Sequence, residues 1–216
     1  EISSCDWSSD VCSSDLSSSL VALQAACESL HKGECEMAVA GGVNVSIYAR
    51  GETKFDSVEA ADSQVRTFDR GAHGTNWAEG AGAVLLKPLE KAITDGDHIY
   101  AVVKSVAANN DGATNGVTAP SAAAQERVLV DAWQQAKIDP VELGYIEAHG
   151  IGTLVGDQIE LKGLTSAFRK YTGNRQFCAL GSLKPNIGHA VGASGIAALI
   201  KVALAMEKFV DRKSVV

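Results

Sequence analysis

Two histidines stand in settings suited to chemistry on a carbonyl group. His149 lies in Glu147-Ala148-His149-Gly150-Ile151-Gly152-Thr153, and His189 closes Lys184-Pro185-Asn186-Ile187-Gly188-His189. Each follows a short apolar run and is flanked by glycines, which let backbone approach a ligand closely. Two imidazoles delivered by turns rich in Gly, Thr and Asn could aim N–H donors at a carbonyl oxygen as it becomes negative. An imidazole of reference pKa ~6.5 can serve as a neutral donor near pH 7. Either histidine alone reads better as a satisfied buried polar group; the pair reads as a site.

The remaining reactive residues are less suggestive. Cys27, Cys35 and Cys178 lack metal-ligand spacing, and Cys27 falls on an apolar helical face, where a small cysteine packs. Ser17, at the start of a helical pattern, reads as a cap and not as a nucleophile. Gly41-Gly42 and Gly80-Ala81-Gly82 have neither the Lys/Ser of a phosphate loop nor the dinucleotide spacing, so they read as close-packing positions.

The elements that must position the histidines alternate between strand-like and helix-like, a layered α/β pattern in one domain. Helices are expected over 17–31, 122–136 and 187–208, the last apolar almost all round and hence buried. Another is expected from Asp157 and Glu160, in capping-box fashion, through Phe168. Strands are expected over 37–45 (buried), 79–86, 99–108, 145–148 and 177–183. Residues 46–76 read as a polar loop.

The ends read differently. Residues 1–16 are Ser/Asp-rich without periodicity, and 6–16 look like the translation of a sequencing adapter; 211–216 look like that of its partner. Excluding both leaves 17 basic and 21 acidic residues in the segment 17–210, against 19 and 26 in the whole chain, whose net charge is −7. Mild acidity without a Lys/Arg cluster argues against a nucleic-acid partner. No apolar run reaches the ~18 residues of a membrane span. With Cys5 and Cys12 in the leader, three cysteines remain, an odd number that suggests reduced, cytoplasmic thiols.

Ser17-Ser18-Ser19-Leu20-Val21-Ala22-Leu23, Ala40-Gly41-Gly42-Val43-Asn44, Glu79-Gly80-Ala81-Gly82, Glu147 to Thr153, Gly156-Asp157-Gln158-Ile159-Glu160 and Asn186-Ile187-Gly188-His189 occur in this order. Together they resemble the β-ketoacyl synthases of the thiolase superfamily, and the resemblance covers essentially all of 17–208. Asn109-Asn110-Asp111-Gly112 and Thr118-Ala119-Pro120-Ser121 look most like ketosynthase domains of modular type I polyketide synthases, and Phe168 to Thr172 is similar to modules lacking a built-in acyltransferase.

The resemblance implies a partial thiolase-like fold, an αβαβα stack of two related halves. It implies an acyltransferase that joins a carrier-bound malonyl-type extender to an acyl chain by decarboxylative Claisen condensation. No cofactor binds directly; substrates ride on the phosphopantetheine of an acyl carrier protein, and the family is homodimeric. His149 and His189 would stabilise the enolate oxygen with Lys184 in electrostatic support, a surface lysine being the rival reading of Lys184. Thr153 would hydrogen-bond the pantetheine arm, or simply cap a turn. Ile151, Gln158 and Pro185 depart from the usual residues. The family's nucleophilic cysteine precedes the Ser-Ser-Ser run, where this chain has Leu16, so the polypeptide as written is expected not to condense. The alternative is a non-condensing module that only binds or passes acyl chains. Starter-type condensing enzymes, which would have Asn for the second histidine, and biosynthetic thiolases fit less well.

Overall fold

The computed structural model describes residues 16–46, 58–112 and 120–208. Its first unit starts with α1 (Ser18–Lys32), which stops where Gly33 turns left-handed at φ 72°. Two strands follow, β1 (Ala38–Asn44) and β2 (Gly80–Leu86), paired antiparallel with Gly42 opposite Gly82. The helices α1 and α6 (Ser194–Lys208) pack on one face of this pair. A Cβ on Gly42 would lie 2.6 Å from the Gly192 carbonyl and 2.7 Å from Ser19 Cβ, and one on Gly82 would lie 3.1 Å from Ile196 Cγ2. A side chain at Gly42 would therefore force helix and sheet apart, and one at Gly82 would press on α6.

The second unit has β3 (Tyr145–Glu147) and β4 (Ala179–Gly181), parallel and joined through α4 (Leu154–Arg169). Helix α3 (Ala122–Ala136) packs on α4 around buried Val130, Trp133 and Ala167. The Trp133 and Phe168 rings lie 4.8 Å apart.

Several expectations change. The strand over 37–45 is not buried on both faces: Val39 is 71% and Val43 65% exposed, and Leu85 opposite is 66% exposed. The stretch 99–108 joins no ladder among the described residues; it is tied to α3 instead, with Ser105 Oγ donating to the Ala132 carbonyl at 2.8 Å. Strand propensity without a partner backbone does not make a strand. The helix expected over 187–208 is three pieces, α5 (Lys184–Ile187), a 3₁₀ turn at 191–193, and α6. Gly188, at φ 80° and ψ −172°, makes the break. Of α6 only Ile196 is fully buried, and Met206 is 57% exposed, so it is not enclosed all round.

Helix α4 starts earlier than expected, at Leu154, because Thr153 is the N-cap and accepts the Gly156 amide at 3.3 Å. Asp157 and Glu160 do not form a capping box. Ser17 occupies the N-cap of α1 without a side-chain capping bond. A further short helix, α2 (Leu89–Asp95), lies between Pro88 and Gly96, a start–stop pair that sequence reading passed over.

Candidate active site

The two histidines meet. Their ring centroids are 5.3 Å apart with the planes at 80°. His149 leaves the end of β3 and His189 sits in the turn between α5 and α6, so each half contributes a loop, not a helix face.

The loop carrying His149 is fixed by carboxylates aimed at its backbone. Glu160 accepts the His149 amide at 2.7 Å and the Gly150 amide at 2.8 Å. Asp157 accepts the Gly152 amide at 3.0 Å and the Phe68 amide at 2.7 Å. Gly150 takes φ 48°, and its carbonyl accepts from Thr67 Oγ1 at 2.8 Å. Sequence reading found Asp157 and Glu160 but gave them a helix-capping task. Their positions four and seven residues into α4 face them back toward the loop.

Lys184 belongs to this site. It is 6% exposed; its ammonium donates to the His149 carbonyl and lies 3.3 Å from His149 Nδ1. An ammonium has no lone pair, so Nδ1 must accept and the ring proton sits on Nε2. Burial pushes Lys184 down to about 8, opposed by Glu160 first, then by Glu147 and Asp157.

His189 is fully buried. Its amide donates to the Asn76 carbonyl at 2.7 Å and its carbonyl accepts from the Ala78 amide at 3.0 Å. The Val191 amide donates to its Nδ1 at 3.0 Å, and Ser194 Oγ lies 3.0 Å from the same atom. Nδ1 is thus an acceptor, and Nε2 carries the proton. That Nε2 is buried and has no hydrogen-bond partner among the described residues. Trp77 lies beside the ring, centroids 5.2 Å apart.

Both imidazoles are held neutral. Burial, then Lys184 and His189, pushes His149 down to about 3; the residue is exposed to solvent, so water offsets part of that shift. Burial, then Lys184, pushes His189 down to about 4. The arrangement can present two neutral N–H donors to one developing oxyanion, beside a cation that discourages their protonation.

Thr153 stands three residues beyond Gly150, with its hydroxyl oxygen engaged as the α4 cap. The start of α1 packs against the segment following His189: Ser19 Oγ accepts the Ile196 amide at 3.1 Å, and Ser18 Oγ lies 3.4 Å from where a Gly192 Cβ would be. Leu16, in the turn before α1, is 42% exposed. Sequence reading missed Ser194, Trp77 and Thr67, whose roles arise from contacts across long sequence separations. The larger cavity, about 250 Å³ between α4 and β4, contains neither histidine.

Comparison with known proteins agrees with this architecture. The family described as Beta-ketoacyl synthase, C-terminal domain, matches residues 100–213, and its N-terminal domain matches 9–92. The polyketide synthase PksL of Bacillus subtilis is 50% identical over 196 residues, 88% of this chain and 4% of that protein. PksR of the same organism is 49% identical over 201 residues, 91% of this chain and 8% of that protein. The ketosynthase from module 6 of the bacillaene synthase of B. subtilis matches with a TM-score of 0.86 and 42% identity, over 89% of this chain and 35% of that one. The oxazolomycin ketosynthase domain OzmH KS7 of Streptomyces albus matches with a TM-score of 0.81 and 45% identity, over 88% of this chain and 33% of that one. The chain thus spans about a third of these solved ketosynthases and a small fraction of the polyketide synthases. The fold is a partial thiolase fold. Among the described residues no helix is long and apolar enough to cross a membrane.

Proposed function

Because the chain belongs to the β-ketoacyl synthase family, we propose that its histidine pair stabilises the enolate formed when a malonyl-type thioester loses CO₂. The carbanion then attacks an enzyme-bound acyl thioester; a C–C bond forms, the C–S bond breaks and the thiolate leaves. His149 and His189 donate through Nε2–H to the enolate oxygen, and Lys184 orients His149 and keeps both rings neutral. The observation carrying this reading is the buried, unpartnered Nε2 of His189 beside a second imidazole 5.3 Å away. One oxyanion donor of this kind contributes on the order of 10²–10³ in rate.

The nucleophile's place falls to Leu16, ahead of a 15-residue helix with no acidic residue in its first turn. Helix-end amides there would favour a thiolate. A leucine forms no thioester, so the chain as written does not condense. We read 17–210 as the partial ketosynthase and 1–16 and 211–216 as non-native, against family matches that start at residue 9 and run to 213. Thr153 contacts the pantetheine arm through the hydroxyl proton that its capping role leaves free. The partner is a cytoplasmic acyl carrier protein that bears the substrates on phosphopantetheine, and the parent domain is a homodimer. A module that binds or passes chains without condensing is the second reading; it is favoured by Leu16 alone, and an intact parent gene with leucine at this codon would support it.

The test is Leu16→Cys. Incubated with a short acyl thioester, the variant gains one acyl adduct by intact mass that the Leu16 chain does not, and it releases CO₂ from a malonyl thioester only while His149 and His189 are present. Labelling no faster than that of Cys5, Cys12, Cys27, Cys35 and Cys178 would overturn the reading.

A further inference from the structure

Behind the histidines lies a second buried polar cluster with no part in the mechanism above. Glu147, two residues before His149, has a side chain only 7% exposed. Its Oε2 accepts from Lys201 Nζ at 2.6 Å and from the Tyr145 hydroxyl, and Lys201 also donates to that hydroxyl at 3.1 Å. Its other oxygen, Oε1, is buried and has no protein partner among the described residues. An unpaired buried carboxylate oxygen is costly and is rarely left so.

Glu147 also borders a small cavity whose wall includes Ser182, Lys184, Ser194 and Ala198. It leaves about 10 Å³ for the centre of a water molecule, at the lower edge of the ~10–15 Å³ of free space a cavity needs to hold one. Its lining residues bear a carboxylate, an ammonium and two hydroxyls, enough to supply the two to four partners a buried water takes. Two of these residues are already fastened to the histidines, Lys184 to His149 and Ser194 to His189.

We propose that this cavity holds one water, and that Glu147 acts through it as a positioning residue for Lys184 and His189. The water accepts from the Lys184 ammonium and donates to Glu147 Oε1 and to Ser194 Oγ. Ser194 then donates its hydroxyl proton to His189 Nδ1, adding to the Val191 amide and fixing the Nε2–H form. The same ammonium holds His149 Nδ1 as an acceptor. One water thereby joins the two ring supports, with the Lys201–Tyr145 pair anchoring the carboxylate to α6. Glu147 is also among the carboxylates that hold Lys184 protonated against burial. The water site stands on geometry alone, whereas its bearing on condensation rests on the reading above.

A crystal structure of the full chain at a resolution showing ordered waters is expected to place one within ~3.2 Å of Glu147 Oε1. Imidazole ¹⁵N NMR on the histidine-labelled chain reads the tautomers. Glu147→Gln keeps the volume, but its amide N–H₂ turns toward the water and reverses that bond. The preference for Nε2–H at His189 should then fall roughly fivefold, the scale of one net hydrogen bond. Ser194→Ala, which cuts the relay at its other end, should act in the same direction, and the two changes together should not add. No water at Oε1, or a Glu147→Gln chain that melts lower with both tautomer ratios unchanged, would overturn the proposal. Finding Nδ1–H at His149 alone would sink the oxyanion reading and leave the water site standing, whereas Nδ1–H at His189 would overturn the relay as well.

Discussion

At the scale of residues, the site works by keeping two bases uncharged. Lys184 does this twice, through its hydrogen bond to His149 Nδ1 and through its charge, which lowers both rings. Linkage gives the consequence for stability. His189 titrates near 4 when folded and ~6.5 when unfolded, so between these values the unfolded chain binds more protons, and its contribution falls as the pH drops through that window. His149 acts in the same sense from about 3. Melting temperature should therefore decline steadily from pH 6.5 to 4. In Lys184→Met the ring pKa values rise toward the unfolded value and the decline becomes shallower, measurable by calorimetry across the range. An equally steep decline in the variant would show that other groups govern it.

At the scale of elements, small residues set the spacing on which the site depends. Gly42→Ala would place a methyl group 2.6 Å from the Gly192 carbonyl, just beyond His189. Forcing α1 and the 3₁₀ turn away from β1 should cost ~1–3 kcal/mol in denaturant unfolding. The helices α1 and α3 and the strand β2 were legible in the sequence, as was the pairing of His149 with His189 and Lys184 in space, since periodicity and local motifs are short-range signals; Thr153 takes the capping place that was its alternative. It did not reveal that Glu160 and Asp157 bind the loop behind them, because an acidic pair at a helix start is locally indistinguishable from a cap. The run 187–208 read as one helix because its apolar content is continuous and Gly188 leaves no trace in hydropathy. The extended-looking 99–108 failed for the opposite reason: pairing is a property of a neighbour, which periodicity does not see.

At the scale of the whole molecule, the outer face of β1 and β2 stands open, with Val39, Val43 and Leu85 each about two-thirds exposed. Contiguous apolar surface of this kind drives association. Sedimentation velocity should find concentration-dependent oligomers, and Val39→Lys with Leu85→Glu, directly opposite in register, should return the chain to monomers. Oligomers that persist unchanged would place the contact elsewhere. The segment from Thr67 to Ala78 grips both loops, through Gly150 and Gly152 on one side and both backbone groups of His189 on the other. It is a single strap around two buckles. A protease nick there should release both imidazoles at one stroke, so the pair survives or perishes as a unit and never by halves.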